Sequence, residues 1–173
     1  MLSKQIARIH CAMRNRMLTP TEHESLTMAV EAARLARDHG NHPFGAVLVT
    51  KDGRTVTAEN TVLTDRDPTG HAETNLVRRA AATFSASELA TSTLYASTEP
   101  CAMCSGAIFW AGIPRVVYAL PERALAAMVP RDSAEFTMAL PCREVFTRGA
   151  HATVVIGPVD IAGAHEVHEG FWG

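Results

Sequence analysis

No run of apolar residues reaches the roughly 20 needed for a membrane-spanning helix. The opening Met-Leu-Ser-Lys-Gln-Ile-Ala-Arg also lacks an apolar signal core followed by a small-residue cleavage site. No membrane partner is expected, and a cytoplasmic location is. Charge of one sign is missing too: 16 Lys and Arg stand against 18 Asp and Glu, a formal net charge of −2. That balance lacks the basic excess of many nucleic-acid binders. Repeats and low-complexity segments are absent. Two of the four cysteines, Cys11 and Cys142, stand outside any motif and read as buried small apolar residues in a reducing compartment. What is present is a 173-residue chain, 47% apolar, long enough for one domain with a sizeable core. Residues 1–18 mix Ile6, Ile9 and Met13 with Lys4, Arg8, Arg14 and Arg16, and read as an arm or short amphipathic helix with a solvated basic face. Residues 19–173 read as the domain.

The spacing of apolar and turn-forming residues predicts an alternating order of elements. Thr19-Pro20-Thr21-Glu22 is a capping-box pattern. The helix it opens runs to about His39, with Leu26, Ala29, Val30, Ala33 and Ala36 on one face and Gly40 as its stop. Phe44 to Thr50 is a strand buried on both faces, and Lys51 to Arg54 turns the chain into a second strand, Thr55 to Asn60. A loop, Asp65 to Gly70, delivers His71 to a helix over Ala72 to Phe84. After a polar connection, Thr93 to Ser97 forms a third strand and Cys101 to Trp110 a further helix. Arg115 to Ala119 is a fourth strand and Pro121 to Met128 a short helix. Val129 to Arg143 is irregular, and Ala152 to Ile156 is a last strand. Strands alternating with helices predict an α/β sandwich in which helices cover a mixed sheet.

Two short motifs carry the chemistry: His71-Ala72-Glu73, and Pro100-Cys101-Ala102-Met103-Cys104. One imidazole and two thiols make three ligands for a soft-to-borderline metal such as zinc, with a fourth position left open, as in a catalytic rather than a structural site. Cys101 opening a helix puts Cys104 one turn on and on the same face. Both sulfurs then sit at the positive end of that helix, where backbone N–H groups favour thiolate. Pro100 suits a helix entry. His71 opens its own helix, so two helix starts are expected to meet at the metal. Zinc lowers the pKa of bound water from about 15.7 towards about 7, and a carboxyl two residues after the histidine is the natural proton carrier for it. The pattern H-x-E…P-C-x-x-C is itself the recognised signature of zinc nucleobase deaminases, and these roles partly follow from it.

His-Ala-Glu, followed by Glu-Pro-Cys-Ala-Met-Cys-Ser-Gly-Ala-Ile, resembles the cytidine deaminase-like superfamily, and within it the branch of bacterial guanine deaminases and tRNA adenosine deaminases. The likeness runs from about Thr21 to Ser133. It implies a three-layer α/β/α sandwich on a mixed five-stranded sheet, a Zn2+ held by His71, Cys101 and Cys104, Glu73 as catalytic acid and base, and a homodimer. It also implies substrate contacts. Pro43-Phe44-Gly45-Ala46 resembles the guanine deaminase form of the first strand, where Phe44 borders the base. Asn60 matches an Asn that hydrogen-bonds a base edge, and its amide offers both donor and acceptor. Ala72 is expected at the substrate between His71 and Glu73. Trp110, in Ala107-Ile108-Phe109-Trp110, is placed to wall the pocket or to pack in the core. Asp132, with Ser133, stands where guanine deaminases carry a carboxylate for the purine's N–H donors, and Glu135 is its substitute, although the neighbours Pro130-Arg131 and Ala134-Glu135 depart from that family. Phe171 and Trp172 at the end are expected to close over the ligand or to pack on the core or a partner. His165 and His168 read as flexible surface histidines.

The leading expectation is hydrolytic deamination of a free amino-substituted nucleobase, guanine to xanthine first, with cytosine or an aminotriazine as alternatives. A tRNA wobble adenosine deaminase is the second expectation. The near-neutral charge and the absence of that branch's basic C-terminal helix speak against it. A non-catalytic zinc or redox scaffold is the third, since C-x-x-C in a cytosolic chain also reads as a redox pair. It requires a dispensable Glu73.

Overall fold

Thr19 begins the first helix as its sequence predicts. Its hydroxyl accepts from the backbone N–H of Glu22, and the Glu22 carboxylate accepts from the backbone N–H of Thr19. In the computed structural model, which describes residues 18–130 and 138–173, the resulting helix α1 (Pro20–Asp38) buries Leu26, Ala29, Val30, Ala33 and Ala36. Gly40 follows at φ +83°, the left-handed turn that stops it. The strands are β1 (Gly45–Val49), β2 (Thr55–Glu59), β3 (Thr93–Thr98), β4 (Arg115–Leu120) and β5 (Val154–Ile156). They form one five-stranded sheet in the order β2-β1-β3-β4-β5. β1 pairs antiparallel with β2 and β3, while β3–β4 and β4–β5 are parallel. The sheet is therefore mixed, as expected.

Alternation along the strands creates the three layers. Leu48, Leu94, Ala96, Val116 and Tyr118 face one side and pack against Leu76 and Ala80 of α3 (Ala72–Thr83) and Ile108 of α5 (Ala102–Trp110). Val47, Tyr95, Val117 and Ala119 face the other, against Leu26, Ala29 and Val30 of α1 and Ile161 and Ala164 of the C-terminal segment. α1 comes so close to β1 that a β-carbon on Gly45 would overlap the backbone of Ala29 and Ala33.

Among the described residues four short helices complete the fold: α2 (Val62–Asp65), α4 (Ala86–Leu89), α6 (Glu122–Ala126) and α7 (Cys142–Thr147). Three of them correct the expected order. α2 lies ahead of the predicted loop. α4 occupies the predicted polar connection and has its own capping box, Ser85 with Glu88. α7 begins inside the stretch read as irregular and buries Cys142 and Phe146. A 3-10 turn, Glu166–His168, ends the chain's regular structure. No helix among the described residues is long and apolar enough to cross a membrane.

Candidate metal centre and base pocket

The N-termini of α3 and α5 meet. His71 is the cap residue of α3 and Cys101 that of α5, both with extended backbone, and Cys104 lies in the first turn of α5. The Nδ1 atom of His71 is 3.6 Å from the sulfur of Cys101 and 3.6 Å from that of Cys104, and all three ligand atoms lie within 4.8 Å of one another. A zinc with ligand bonds of about 2.3 Å to sulfur and about 2.0 to 2.1 Å to nitrogen, at tetrahedral angles, sets nitrogen and sulfur about 3.6 Å apart. The donor set therefore fits zinc in both chemistry and spacing. Hydrogen bonds from Cys104 and His71 hold the Cys101 thiol down to about 4, so it is a thiolate at neutral pH. The hydroxyl of Thr74, 3.3 Å from the Cys104 sulfur, braces the second thiol.

Glu73 stands in the first turn of α3, 6% exposed. Burial first, and the neighbouring Cys101 charge second, push its carboxyl up to about 7. A carboxyl poised near neutrality suits both taking and giving a proton. It opens with His71 and Cys101 onto a cavity of about 160 Å3, whose walls include Phe44, Thr98, Glu99 and, from α6 and beyond, Glu122, Leu125, Ala126, Val129 and Met138. A larger cavity of about 750 Å3 shares Glu99, Glu122 and Ala126 but contains neither the metal ligands nor Glu73, so the chemistry belongs to the smaller one. The Glu99 carboxylate accepts from the backbone N–H groups of Glu122 and Cys142, both at 3.2 Å, and so ties both ends of that wall to the strand carrying the metal motif.

The metal ligands, Glu73 and Phe44 come together as the motifs predict; the remaining expected contacts divide. Asn60 is fully buried behind Phe44. Its backbone N–H donates to the Phe44 carbonyl, its Oδ1 accepts from Val62 at 3.0 Å, and its Nδ2 has no partner. Phe171 and Trp172 are half-buried against their own chain. Trp172 packs on Phe44 and His42, so the two aromatics back the pocket wall and do not line the cavity. The Ala72 methyl lies in the core and not in the cavity. Trp110 corrects both of its expected roles, since it is 85% exposed. It ends α5, and nine residues of rise carry it about 13 Å from Cys101 along the axis. Asp132, Ser133 and Glu135 lie outside the described residues, as do the N-terminal arm (1–17) and Cys11.

His168 is the main correction. It is 1% exposed, not a surface histidine, and its ring stacks on Trp172 and tilts against Phe44. No role in the site is expected of Thr98, Thr74 or His168 from sequence; Thr74 and Thr98 adjoin the two motifs in sequence, whereas His168 comes to Thr98 and Phe44 by tertiary packing alone.

Residues 19–120 match the model of the cytidine and deoxycytidylate deaminase zinc-binding region. The chain belongs to that deaminase family. It is 36% identical to a probable cytosine deaminase of Schizosaccharomyces pombe, across 85% of this chain and 90% of that one. It is 37% identical to the tRNA-specific adenosine deaminase of Haemophilus influenzae, over 64% of each chain. The solved structure of guanine deaminase from Bacillus subtilis superposes with a TM-score of 0.60 at 32% identity, covering 90% of this chain and 94% of that one. Zinc is the metal of this family, and the deaminase fold is the one its sequence resembles.

Proposed function

We propose that this deaminase hydrolyses the exocyclic amine of a free nucleobase, guanine to xanthine first, releasing ammonia. The observation that carries the proposal is Glu73, buried and titrating near neutrality beside a ligand set that fits zinc. His71, Cys101 and Cys104 would hold the zinc, which would supply Lewis acidity for activating a water at neutral pH. Glu73 takes a proton from the attacking water and gives it to the ring nitrogen beside the amine-bearing carbon. It then carries the second proton to the departing amine, so that C–NH2 and H2O become C=O and NH3. Its burial excludes bulk water from this transfer.

The choice of a base is supported by the small cavity beside Glu73 and the aromatic wall of Phe44. Guanine is favoured by Phe44 and by the C-terminal aromatics behind it, and by the likeness to the B. subtilis enzyme. Cytosine is the second reading, on the strength of the S. pombe relative. Action on tRNA is disfavoured by the formal charge of −2. A homodimer would cover the exposed Met103 and Trp110 of α5, and the free thiol of Cys142 suits a cytoplasmic location. Ammonia release from a panel of guanine, cytosine, adenine, an aminotriazine and tRNA tests the reading. Turnover of guanine above the others is expected. Turnover of none of the free bases would overturn it.

A further inference from the structure

Thr98 ends β3 and lines the cavity beside Glu99 and Phe44. It is 4% exposed, and its Oγ1 is 3.4 Å from Nε2 of His168. The other nitrogen of that imidazole, Nδ1, is buried without a partner. Rings of Phe44 and Trp172 flank it, and Arg37, which donates to the Val167 carbonyl at 2.7 Å, and His165 are positive groups that bear on it. A neutral imidazole carries one N–H and one bare nitrogen, and the hydrogen-bond pattern decides which is which. A proton on Nδ1 would leave a buried N–H unpaired, the rarer and costlier kind of orphan. A proton on Nε2 points at the threonine oxygen and leaves only a bare acceptor unpaired. Thr98 then spends an oxygen lone pair on His168, and its own O–H proton is free to turn into the cavity.

We propose that Thr98 donates a hydrogen bond to the substrate base, at a carbonyl oxygen or an unprotonated ring nitrogen, and that His168 is the positioning residue that aims it. This rests on the reading of the cavity as a nucleobase site. It makes the C-terminal 3-10 turn part of substrate selection, although no residue of that turn lines the cavity.

The test uses the zinc-loaded full chain. It measures the Kd of the guanine analogue 8-azaguanine by calorimetry, and KM and kcat for the base that wild type turns over best. Thr98→Val should raise Kd and KM together by about 3- to 15-fold, the loss of one neutral hydrogen bond. Zinc content should stay unchanged, with kcat within about twofold. Thr98→Ser should behave as wild type. His168→Phe, which keeps a ring but donates nothing, should weaken binding alone and add nothing on top of Thr98→Val. His168→Gln, whose side-chain amide can replace the Nε2 donor, should restore it. Equal 8-azaguanine affinity in wild type and Thr98→Val would overturn the donor, and additive effects of the two substitutions would overturn the positioning. Should Thr98→Val fail to fold, the Phe–Gln contrast at 168 carries the same decision. A wild type that neither binds nor turns over any base instead removes the nucleobase reading, and this proposal with it.

Discussion

Replacing His168 with glutamine should flatten the acid side of the protein's stability curve. Burial first, then the charges of His165 and Arg37, lower the His168 imidazole from 6.5 to about 4. The sign follows from linkage: the unfolded chain binds this proton more readily than the folded one, so stability is complete above about pH 6.5 and drains away as pH falls towards about 4. At about 1.4 kcal/mol for each pH unit, the whole effect is about 3 kcal/mol, and about 2 kcal/mol of it is lost by pH 5. Urea unfolding of zinc-loaded wild type and His168→Gln, at pH 7.5, 6 and 5, isolates it, because protonation of the metal ligands is common to both proteins and cancels in the difference. The gap between the two should move by about 2 kcal/mol in favour of the variant between pH 7.5 and pH 5. Parallel curves over that range would show that His168 is solvated or already paired, and would refute its burial as a neutral group.

Glu73→Gln should keep zinc and fold while lowering kcat by about two to four powers of ten, the usual worth of a positioned acid–base group; metal analysis beside steady-state kinetics checks both halves, and near-normal turnover would remove the proton-carrier role. Asn60→Asp keeps the Oδ1 acceptor that holds Val62 but puts an ionisable carboxyl at a fully buried position, so its loss of stability in urea unfolding should grow as pH rises above about 4; a pH-independent difference from wild type would mean that the position is solvated. Gly45→Ala should cost at least about 1 to 3 kcal/mol in denaturant unfolding, since α1 must move off β1 to admit the methyl; an unchanged midpoint would mean the two elements are not in backbone contact.

The metal centre was legible in the sequence because its chemistry is local. Cys101 and Cys104 are one helical turn apart, so spacing alone puts both sulfurs on a common face, and His71 and Glu73 stand together at the start of another helix. The sheet was legible for a similar reason: Phe44 to Thr50 is a short apolar run, as a strand buried on both faces requires, and Lys51 to Arg54 turns it into the alternating Thr55 to Asn60. Helix α4 was legible but missed, for Ser85 and Glu88 form the same capping box that announced α1. Helix α7 carries no side-chain cap and spans six residues, which leaves no periodicity to detect. Trp110 misled because a tryptophan suggests burial, whereas its place at the far end of α5 leaves it outside.

What the sequence could not convey is how the last residues meet the pocket. His168 sits in a run of Glu, His and Gly that reads as solvent-exposed, and nothing within several residues of it is a core pattern. Its burial comes from Phe44, 124 positions earlier, and from Trp172, which stacks on its other side. The same contacts turn Phe44 from an isolated strand-end aromatic into a wall braced from behind, and set the imidazole against Thr98. Substrate choice in a family whose metal motif is shared by cytosine, guanine and tRNA enzymes has to be made by residues outside that motif. On the proposed reading those residues come from the entry to β1, from β3, the α6 region and the C-terminal turn, with Glu99 fastening the α6 wall and His168 set against Thr98. The metal motif is then written in two short words of sequence and selectivity in long-range contacts, so variation at positions such as Thr98 and His168 should shift which base is accepted without disturbing the metal.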